Sequence, residues 1–305
     1  MTRGYWPLIL LLASVWGASY LFIKLAVEDL DPALAMAARA LIAAALLLPV
    51  VVARSGRAAL DELRGSWREA AVLGLVNAAL PFWLVAWGET HIDSSVAGIA
   101  QATVPLFAFL LGLRVLAHEH VARVRWIGVA LGLAGVVVLA GLDPEGDGWA
   151  VAGTLAVVAS SVSYAAGGIY GQLRVRTVSG PVLATGSMLA AGLYLLPPAL
   201  VRLPSEAPGW RSVGGVLALA VLGTALGQLI LFRALRLHGM RRVSLVAYLM
   251  PCFAVVYGAI LLDEAVSAAT LGGLALILAG VALGSGALRR PYHRERPAPA
   301  PSDGR

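Results

Sequence analysis

The sequence predicts an all-α polytopic membrane protein, with ten transmembrane helices arranged as two inverted five-helix repeats. Composition is the first reason: 59% of the 305 residues are hydrophobic and 13% are charged, whereas about 25% of an ordinary soluble domain is charged. An internal repeat is the second reason. One pattern of proline, glutamate and glycine occurs twice, 145 or 146 residues apart: Pro105, Glu119, Gly128 and Gly135 against Pro251, Glu264, Gly273 and Gly280.

Ten apolar stretches are long enough to cross a bilayer, which takes about 20 residues of helix. Helices are expected because a segment in lipid must satisfy its own backbone hydrogen bonds. They are predicted at residues 5–26, 33–52, 69–88, 94–116, 125–141, 149–170, 181–201, 211–232, 241–262 and 268–288. Residues 1–141 then form the first repeat and residues 142–288 the second. The arginine- and proline-rich residues 289–305 are expected to be a disordered cytoplasmic tail.

The distribution of positive charge predicts the orientation. With the amino terminus in the cytoplasm, 19 of the 23 Lys and Arg residues fall on the inner side, so both termini are cytoplasmic. Acidic residues, Glu89 and Asp93 among them, are assigned to outer loops. The loop at Glu119 is rich in arginine, whereas its counterpart at Glu264 has no Lys or Arg nearby. Because each half has five helices, an odd number, the second repeat is predicted to be inverted, as in many secondary transporters.

Two prolines lie near the middle of the fourth and ninth helices. Pro105 and Pro251 each lack an amide hydrogen and clash with a preceding carbonyl, so each is expected to interrupt its helix at bilayer depth. Matched interruptions in the two halves indicate a binding site near the midplane. Kinks that serve only packing are an equally good interpretation. Gln101 and Tyr248, each close to one of the prolines, belong to the same region.

Other polar or large aromatic side chains also fall deep within predicted spans. Trp16 and Tyr20 share one face of the first helix, and Tyr164 is the weakly aligned counterpart of Trp16. Aromatic side chains at this depth either line a cavity or fill the core, and single polar groups are explained equally by hydrogen bonds between helices. The candidate substrate-binding residues are Trp16, Tyr20, Asn77, Trp83, Gln101, Tyr164, Gln228 and Tyr248.

Arg39 is the one unambiguous charge within a span. The favoured interpretation is a structural pair, in which the side chain reaches toward Glu28, Asp29 or Asp31 at the helix end. The alternative is a site for a substrate carboxylate. No Asp or Glu is assigned near the middle of a span, which favours downhill export over proton exchange because a proton relay needs a buried carboxylate or histidine.

The sequence lacks the residues that several other functions require. The segment His118-Glu119-His120 does not have the HExxH spacing of a zinc site, and no nucleotide-binding loop is present. We therefore expect no catalytic residue, no metal site, no cofactor and no enzyme activity. The arginines follow the loops, so no nucleic-acid partner is expected either. Four GxxxG pairs predict close helix packing, at Gly128/Gly132, Gly167/Gly171, Gly223/Gly227 and Gly280/Gly284.

Taken together, the two proline, glutamate and glycine patterns and the stretches WGASYLFIKLA and DPALAMAARALIAAALLL resemble the EamA-like family of ten-helix carriers in the drug/metabolite transporter superfamily. The resemblance covers nearly the whole chain. It implies an exporter of small metabolites, often amino acids, in the bacterial cytoplasmic membrane. It also implies a central cavity lined by helices one, three, four, six, eight and nine. Arg39 matches the early second-helix arginine of the family, and Trp16 and Gly17 match its first-helix pair.

The expected function is therefore export of a small polar or amphipathic metabolite, such as an amino acid, by alternating access. One alternative is a flippase of the same fold for a lipid or lipid-linked sugar, and another is an integral membrane enzyme. The expected partners are a small-molecule substrate and the lipid bilayer. A monomer is compatible with the sequence.

Overall fold

The computed structural model describes residues 4–115, 122–141, 148–175 and 178–284, with the side chains of residues 114, 115 and 241 left aside. All regular secondary structure in these ranges is helical. The helices are α1 Trp6–Ala26, α2 Pro32–Ser55, α3 Arg57–Gly65, α4 Trp67–Glu89, α5 Ser94–Gln101, α6 Val104–Val115, α7 Arg123–Ala140, α8 Gly148–Arg174, α9 Gly180–Val201, α10 Trp210–His238, α11 Met240–Val243, α12 Val246–Leu261 and α13 Ala268–Gly284.

The helices have the length and composition of membrane spans. Eight candidate spans are found in the described residues: α1, α2, α4, the pair α5 and α6, α7, α8, α9 and α10. The apolar helices α12 and α13 are shorter. Large apolar side chains such as Leu200, Ile260 and Leu271 are exposed on the outside of the bundle, where lipid accepts them. The predicted all-α membrane class is confirmed.

Helix α3 was not predicted. From the sequence, residues 53–68 are expected to be a loop between two spans. In the structure, Ala59 is buried and Leu63 is partly buried against Val51 of α2 and Val182 of α9. The basic side chains of Arg57 and Arg64 are exposed. The segment therefore forms a short amphipathic helix that packs on the end of the bundle.

The helices around the two prolines differ. Near Pro105 a turn at residues 102 and 103 interrupts the α-helix, which resumes at Val104, as predicted. Thr103 Oγ1 donates to the carbonyl oxygen of Ala100 at 2.7 Å. Pro251 instead lies inside α12, and the break in that half falls earlier, at residues 244 and 245. The prediction of matched breaks at the two prolines is therefore wrong for Pro251.

A second irregularity recurs in both halves. Helix α4 contains a π-helical segment, Leu75–Ala79, and α10 contains one at Leu219–Leu226. The two segments overlap when the halves are aligned at the repeat offset. A π segment leaves some backbone carbonyls without their usual α-helical partner, and such segments are frequent at functional sites.

Glycines bring the backbones of α7 and α13 into contact. A Cβ atom at Gly128 would lie 2.6 Å from the carbonyl oxygen of Gly280, and one at Gly135 would lie 3.0 Å from that of Gly273. Gly273 and Gly280 are the repeat equivalents of Gly128 and Gly135, so each glycine faces the equivalent of the other. Reciprocal pairing of this kind is a property of two-fold symmetry. The predicted close packing at Gly128 and Gly280 is confirmed.

Other helices also pair across the two halves. Helix α1 packs on α12, α2 packs on α9, and α4 packs on α8. Gly17 lies against Phe253, Gly192 against Leu41, and Gly88 against Gly153. The largest buried apolar cluster includes side chains from both halves. The two halves therefore share one main buried core.

We expect Gly128→Leu or Gly280→Leu to destabilise the protein, because the added side chain meets backbone atoms that cannot move aside. Overpacking of this kind costs ~1–3 kcal/mol or more. The thermal midpoint in detergent, followed by size-exclusion chromatography after heating, measures the effect. The matched control is Gly171→Leu, since no heavy atom lies within 4 Å of a Cβ built at that GxxxG glycine. Equal midpoints for all three variants would contradict the glycine contact.

Candidate functional site

Arg39 lies in the interior of the bundle. Its side chain is on α2 and the residue is 8% exposed. Nε donates to Thr224 Oγ1 of α10 at 2.9 Å, and Nη1 lies 3.7 Å from Met36 Sδ. The guanidinium carbon is 3.6 Å from the centre of the Phe82 ring of α4, a cation–π contact. Helices from both halves thus hold this charge.

The structural pair that the sequence favoured for Arg39 is not formed, so that interpretation is wrong. The acidic residues after α1 are bound by groups at the end of α9 and the start of α10. Glu28 pairs with Arg211 at 3.3 Å, Asp31 pairs with Arg202 at 3.3 Å, and Asp29 accepts from Gly209 N and Ser212 Oγ at 2.8 Å each. Among the described ion pairs, none includes Arg39.

Two tyrosines predicted as site residues lie near this arginine. Tyr20 of α1 and Tyr164 of α8 both lie within electrostatic range of Arg39 and of each other. Tyr20 is buried, and its hydroxyl donates to Met250 Sδ at 3.9 Å. We call Arg39, Tyr20, Tyr164, Phe82 and Thr224 the Arg39 cluster. It brings together one cation, three hydroxyl groups and three aromatic rings from α1, α2, α4, α8 and α10.

Hydroxyl groups accompany both π segments. Thr224 Oγ1 donates to the carbonyl oxygen of Leu219 at 3.0 Å while it accepts from Arg39. In the other half, Ser163 Oγ donates to the carbonyl oxygen of Val76 at 2.6 Å. These bonds satisfy carbonyls within the π segments and hold them in place. The Thr224 hydroxyl thereby also fixes the direction of the arginine.

Glu89 was missed as a site residue. From the sequence, Glu89 is expected in an outer loop, and this is wrong, because α4 continues through Gly88 and ends at Glu89. The residue is 0% exposed, and neither carboxylate oxygen has a hydrogen-bond partner among the described residues. Lys24 Nζ donates to the carbonyl oxygens of Glu89 and Ile92, at 2.7 and 2.8 Å. The sequence feature that could have indicated its burial is that Glu89 directly follows a long apolar run.

Glu264, from the repeated pattern, has a structural role. Its carboxylate accepts from Ser94 N at 2.7 Å and from Ser95 N at 3.0 Å, so an acid of the second half caps α5 of the first half. A helix N-terminus favours such a negative charge. The equivalent acid, Glu119, and the segment His118-Glu119-His120 lie outside the described residues.

Gln101 joins α5 to α8. Ser160 Oγ donates to its Oε1 at 2.8 Å, and its Nε2 donates to Ser161 Oγ at 3.1 Å. Asn77 lies in the π segment of α4 beside Gly167, where a Cβ atom would be 2.8 Å from Asn77 Oδ1. Both side chains therefore have roles at helix–helix contacts.

The remaining predicted residues have other neighbours. The ring nitrogen of Trp16 packs on Gly227, and the hydroxyl of Tyr248 donates to the carbonyl oxygen of Val281 at 3.4 Å. Gln228 is half-buried on α10. Trp83 stacks on Trp87, with ring centres 6.5 Å apart.

Two clefts open near the ends of the helices. The first, of about 370 Å³, is lined by Asp31, Ala33, Trp83, Leu195, Pro198, Val201 and Arg202. The second, of about 330 Å³, is lined by Glu62, Gly65, Ser66, Glu69, Arg174 and Val178. Of the predicted site residues, only Trp83 lines either of these two clefts. A central cavity between Gln101, Tyr164 and Tyr248 stays a prediction.

Comparisons with known proteins agree with this architecture. The EamA-like transporter family matches residues 4–141 and 151–285. An uncharacterised inner membrane transporter, YedA of Escherichia coli K12, is 30% identical over 280 residues, which cover 88% of this chain and 86% of that protein. A probable amino-acid metabolite efflux pump of Salmonella typhimurium is 26% identical over 92% of this chain and 94% of its own. A solved crystal structure matches with a TM-score of 0.64 and 20% identity, over 92% of this chain and 96% of that one.

Asp93 yields a pH-dependent prediction. It lies in the turn between α4 and α5, where partial burial and the negative charge of Glu264 raise the pKa of its carboxyl group. Folding therefore disfavours the ionised form, so the protein loses stability as pH rises through this pKa. We expect Asp93→Asn to raise the thermal midpoint at neutral pH, with the gain shrinking toward acid pH. A pH-independent effect in a thermal-shift titration would contradict this assignment.

Proposed function

The chain belongs to the EamA-like transporter family of the drug/metabolite transporter superfamily, and on that premise we propose that it exports a small metabolite across the bacterial cytoplasmic membrane. The solute is polar or amphipathic, with an amino acid or a related compound as the first candidate. Transport proceeds by alternating access without a nucleotide. The inner membrane and amino-acid efflux named for the two relatives support the location and the solute class.

The proposed topology has ten spans in two inverted repeats, with both termini in the cytoplasm. The reciprocal glycine contacts of α7 and α13 support it, because two halves related by a two-fold axis would meet through equivalent residues in this way. The π segments at aligned positions of α4 and α10 support it too. The concentration of arginine in alternate loops supports the orientation.

The buried Arg39 is the observation that carries the proposed solute site. A cation at this depth is costly unless something compensates it, and no described ion pair supplies a carboxylate. The planar guanidinium is suited to binding a carboxylate through paired hydrogen bonds. The carboxylate of an amino acid at Arg39, with its side chain against Phe82 and the two tyrosines, completes the arrangement. Trp16, Asn77, Trp83, Gln101, Gln228 and Tyr248 are proposed as the wider lining.

The contacts between the halves suggest how access alternates. At the end of the bundle where α1 and α12 terminate, Glu28, Asp29 and Asp31 bind groups of the second half. Glu264, an acid of the second half, in turn caps α5 of the first half. These bonds favour a conformation closed at that end, and opening requires that they break together. Because Thr224 of the second half holds Arg39, separation of the halves also changes the solute site.

Counterflow in proteoliposomes tests the proposal. We expect a panel of radiolabelled amino acids to include at least one compound that exchanges, and Arg39→Ala to reduce its exchange by about 30-fold or more, since removing one partner of a buried ion pair costs ~2–5 kcal/mol. Arg39→Lys should retain part of the rate. The matched control is Arg64→Ala, which removes an exposed arginine.

The outcomes separate the alternatives. Normal exchange of carboxylate-bearing compounds by a correctly inserted Arg39→Ala protein would contradict the site. A flat response across the panel, with movement of a fluorescent lipid between leaflets, would favour a flippase. Catalytic turnover of a lipid headgroup would favour a membrane enzyme.

A further inference from the structure

Glu89 has no part in the proposed solute site, and its surroundings are unusual. It ends α4, is fully buried, and has two carboxylate oxygens without a hydrogen-bond partner among the described residues. None of the described ion pairs includes it. A buried carboxylate is normally paired or bound to a metal, because transfer of the ionised group out of water is very costly. The neutral acid, which carries a proton, avoids most of that cost.

Charged neighbours surround the group, yet none satisfies it. On α1, Lys24 directs its ammonium to two backbone carbonyls, and Tyr20 lies nearby. On α2, Arg39 is held by Thr224 and Phe82. The carboxylate of Glu264 adds negative charge near Glu89, and Glu264 also acts on Asp93 in the following turn. Further negative charge would be unfavourable in this environment.

We propose that Glu89 is a proton-binding residue that couples the conformation of the protein to the proton gradient. In the conformation described here, the carboxyl group holds the proton on one of its oxygens. When the end of the bundle at Glu89 opens, the carboxyl group exchanges its proton with water on that side, and its deprotonated form is stabilised by solvent and by the ammonium of Lys24. The coupling rests on the proposed function, since the proton gradient acts on solute transport through this change.

Lys24 is suited to replace the proton. Its ammonium already reaches the backbone carbonyl of Glu89 itself, so a change of side-chain rotamer can bring it toward the carboxylate. The bonds that would compete with this movement are its own contacts to the Glu89 and Ile92 carbonyls. One side chain thus caps α4 in the closed conformation and neutralises Glu89 in the open one.

This assignment changes the expectation for energy coupling. The sequence favoured downhill export because no acid was assigned to the interior of a span. Glu89 supplies a buried carboxyl group at the end of α4. A protein whose conformational equilibrium includes the binding of one proton responds to the proton concentration on the side of the membrane from which that proton is exchanged.

The first experiment needs no solute. Infrared absorption spectra of the purified protein in lipid, recorded separately at acid and at neutral pH, report the C=O stretch of protonated carboxylic acids. At neutral pH we expect a band that persists in the wild type, disappears in Glu89→Gln and is retained in Glu89→Asp. Glu206→Gln, at an exposed glutamate, is the control and should leave the band unchanged. An identical band in wild type and Glu89→Gln would overturn the proposal.

The second experiment measures transport with the amino acid that gives the largest counterflow. We expect a transmembrane pH gradient to stimulate net transport by the wild type several-fold, and the stimulation to be lost in Glu89→Gln while counterflow without a gradient continues. Stimulation that persists in Glu89→Gln would overturn the proposal. Loss of counterflow as well, in a correctly folded variant, would make Glu89 a solute ligand and would also overturn it.

The two experiments distinguish the proposals from each other. If the infrared band depends on Glu89 but no amino acid exchanges in the wild type, the proposed solute class fails while proton binding stands. If amino acids exchange and the band does not depend on Glu89, the proposed function stands and proton binding fails. Lys24→Met provides a further check, because loss of the ammonium should keep the Glu89 band present to higher pH than in the wild type.

Discussion

The structure depends on one constraint: a backbone group inside a bilayer has no water to bond with, so every departure from the α-helix needs a local substitute. The described chain departs from it at few places within the spans, and hydroxyl groups stand at several of them. Thr103 bonds to the Ala100 carbonyl beside Pro105, and Ser163 bonds to Val76 in the first π segment. Thr224 bonds to Leu219 in the second. Because Thr224 also binds Arg39, the same hydroxyl group satisfies a backbone carbonyl and positions the buried charge.

Buried charge follows the same logic. Arg39 is compensated by a hydroxyl, a sulfur and an aromatic ring, which stabilise a cation without neutralising it. Glu89 has no such partners in the described residues. The two groups therefore have different chemical possibilities: the guanidinium keeps its charge under all physiological conditions, whereas the carboxyl group can lose its charge by binding a proton. A permanent charge suits the recognition of an anion, and a reversible charge suits coupling.

Much of the fold could be predicted from the sequence, because composition and helix length report directly on the lipid environment. The duplication was visible as well, since Gly128, Gly135, Gly273 and Gly280 keep their spacing. The prediction was less successful where residues far apart in sequence decide the outcome. The partner of Arg39 was sought in the acidic loop next to it in the chain, but Thr224 lies 185 residues away. Glu89 looked like a loop residue because its burial depends on helices of both halves. Helix α3 was missed because a short amphipathic helix at a membrane surface contains as many charged residues as a loop does.

The seam between α7 and α13 restricts how the two halves can move. Backbone atoms at Gly128 and Gly280 are in direct contact, without side chains whose rotamers could absorb a sliding displacement. A shift of one helix along the other would drive carbonyl oxygens into neighbouring α-carbons, whereas a change of crossing angle about the point of contact costs little. The glycine contact would then be the pivot about which the two halves rotate, while the distance between them at that point stays constant.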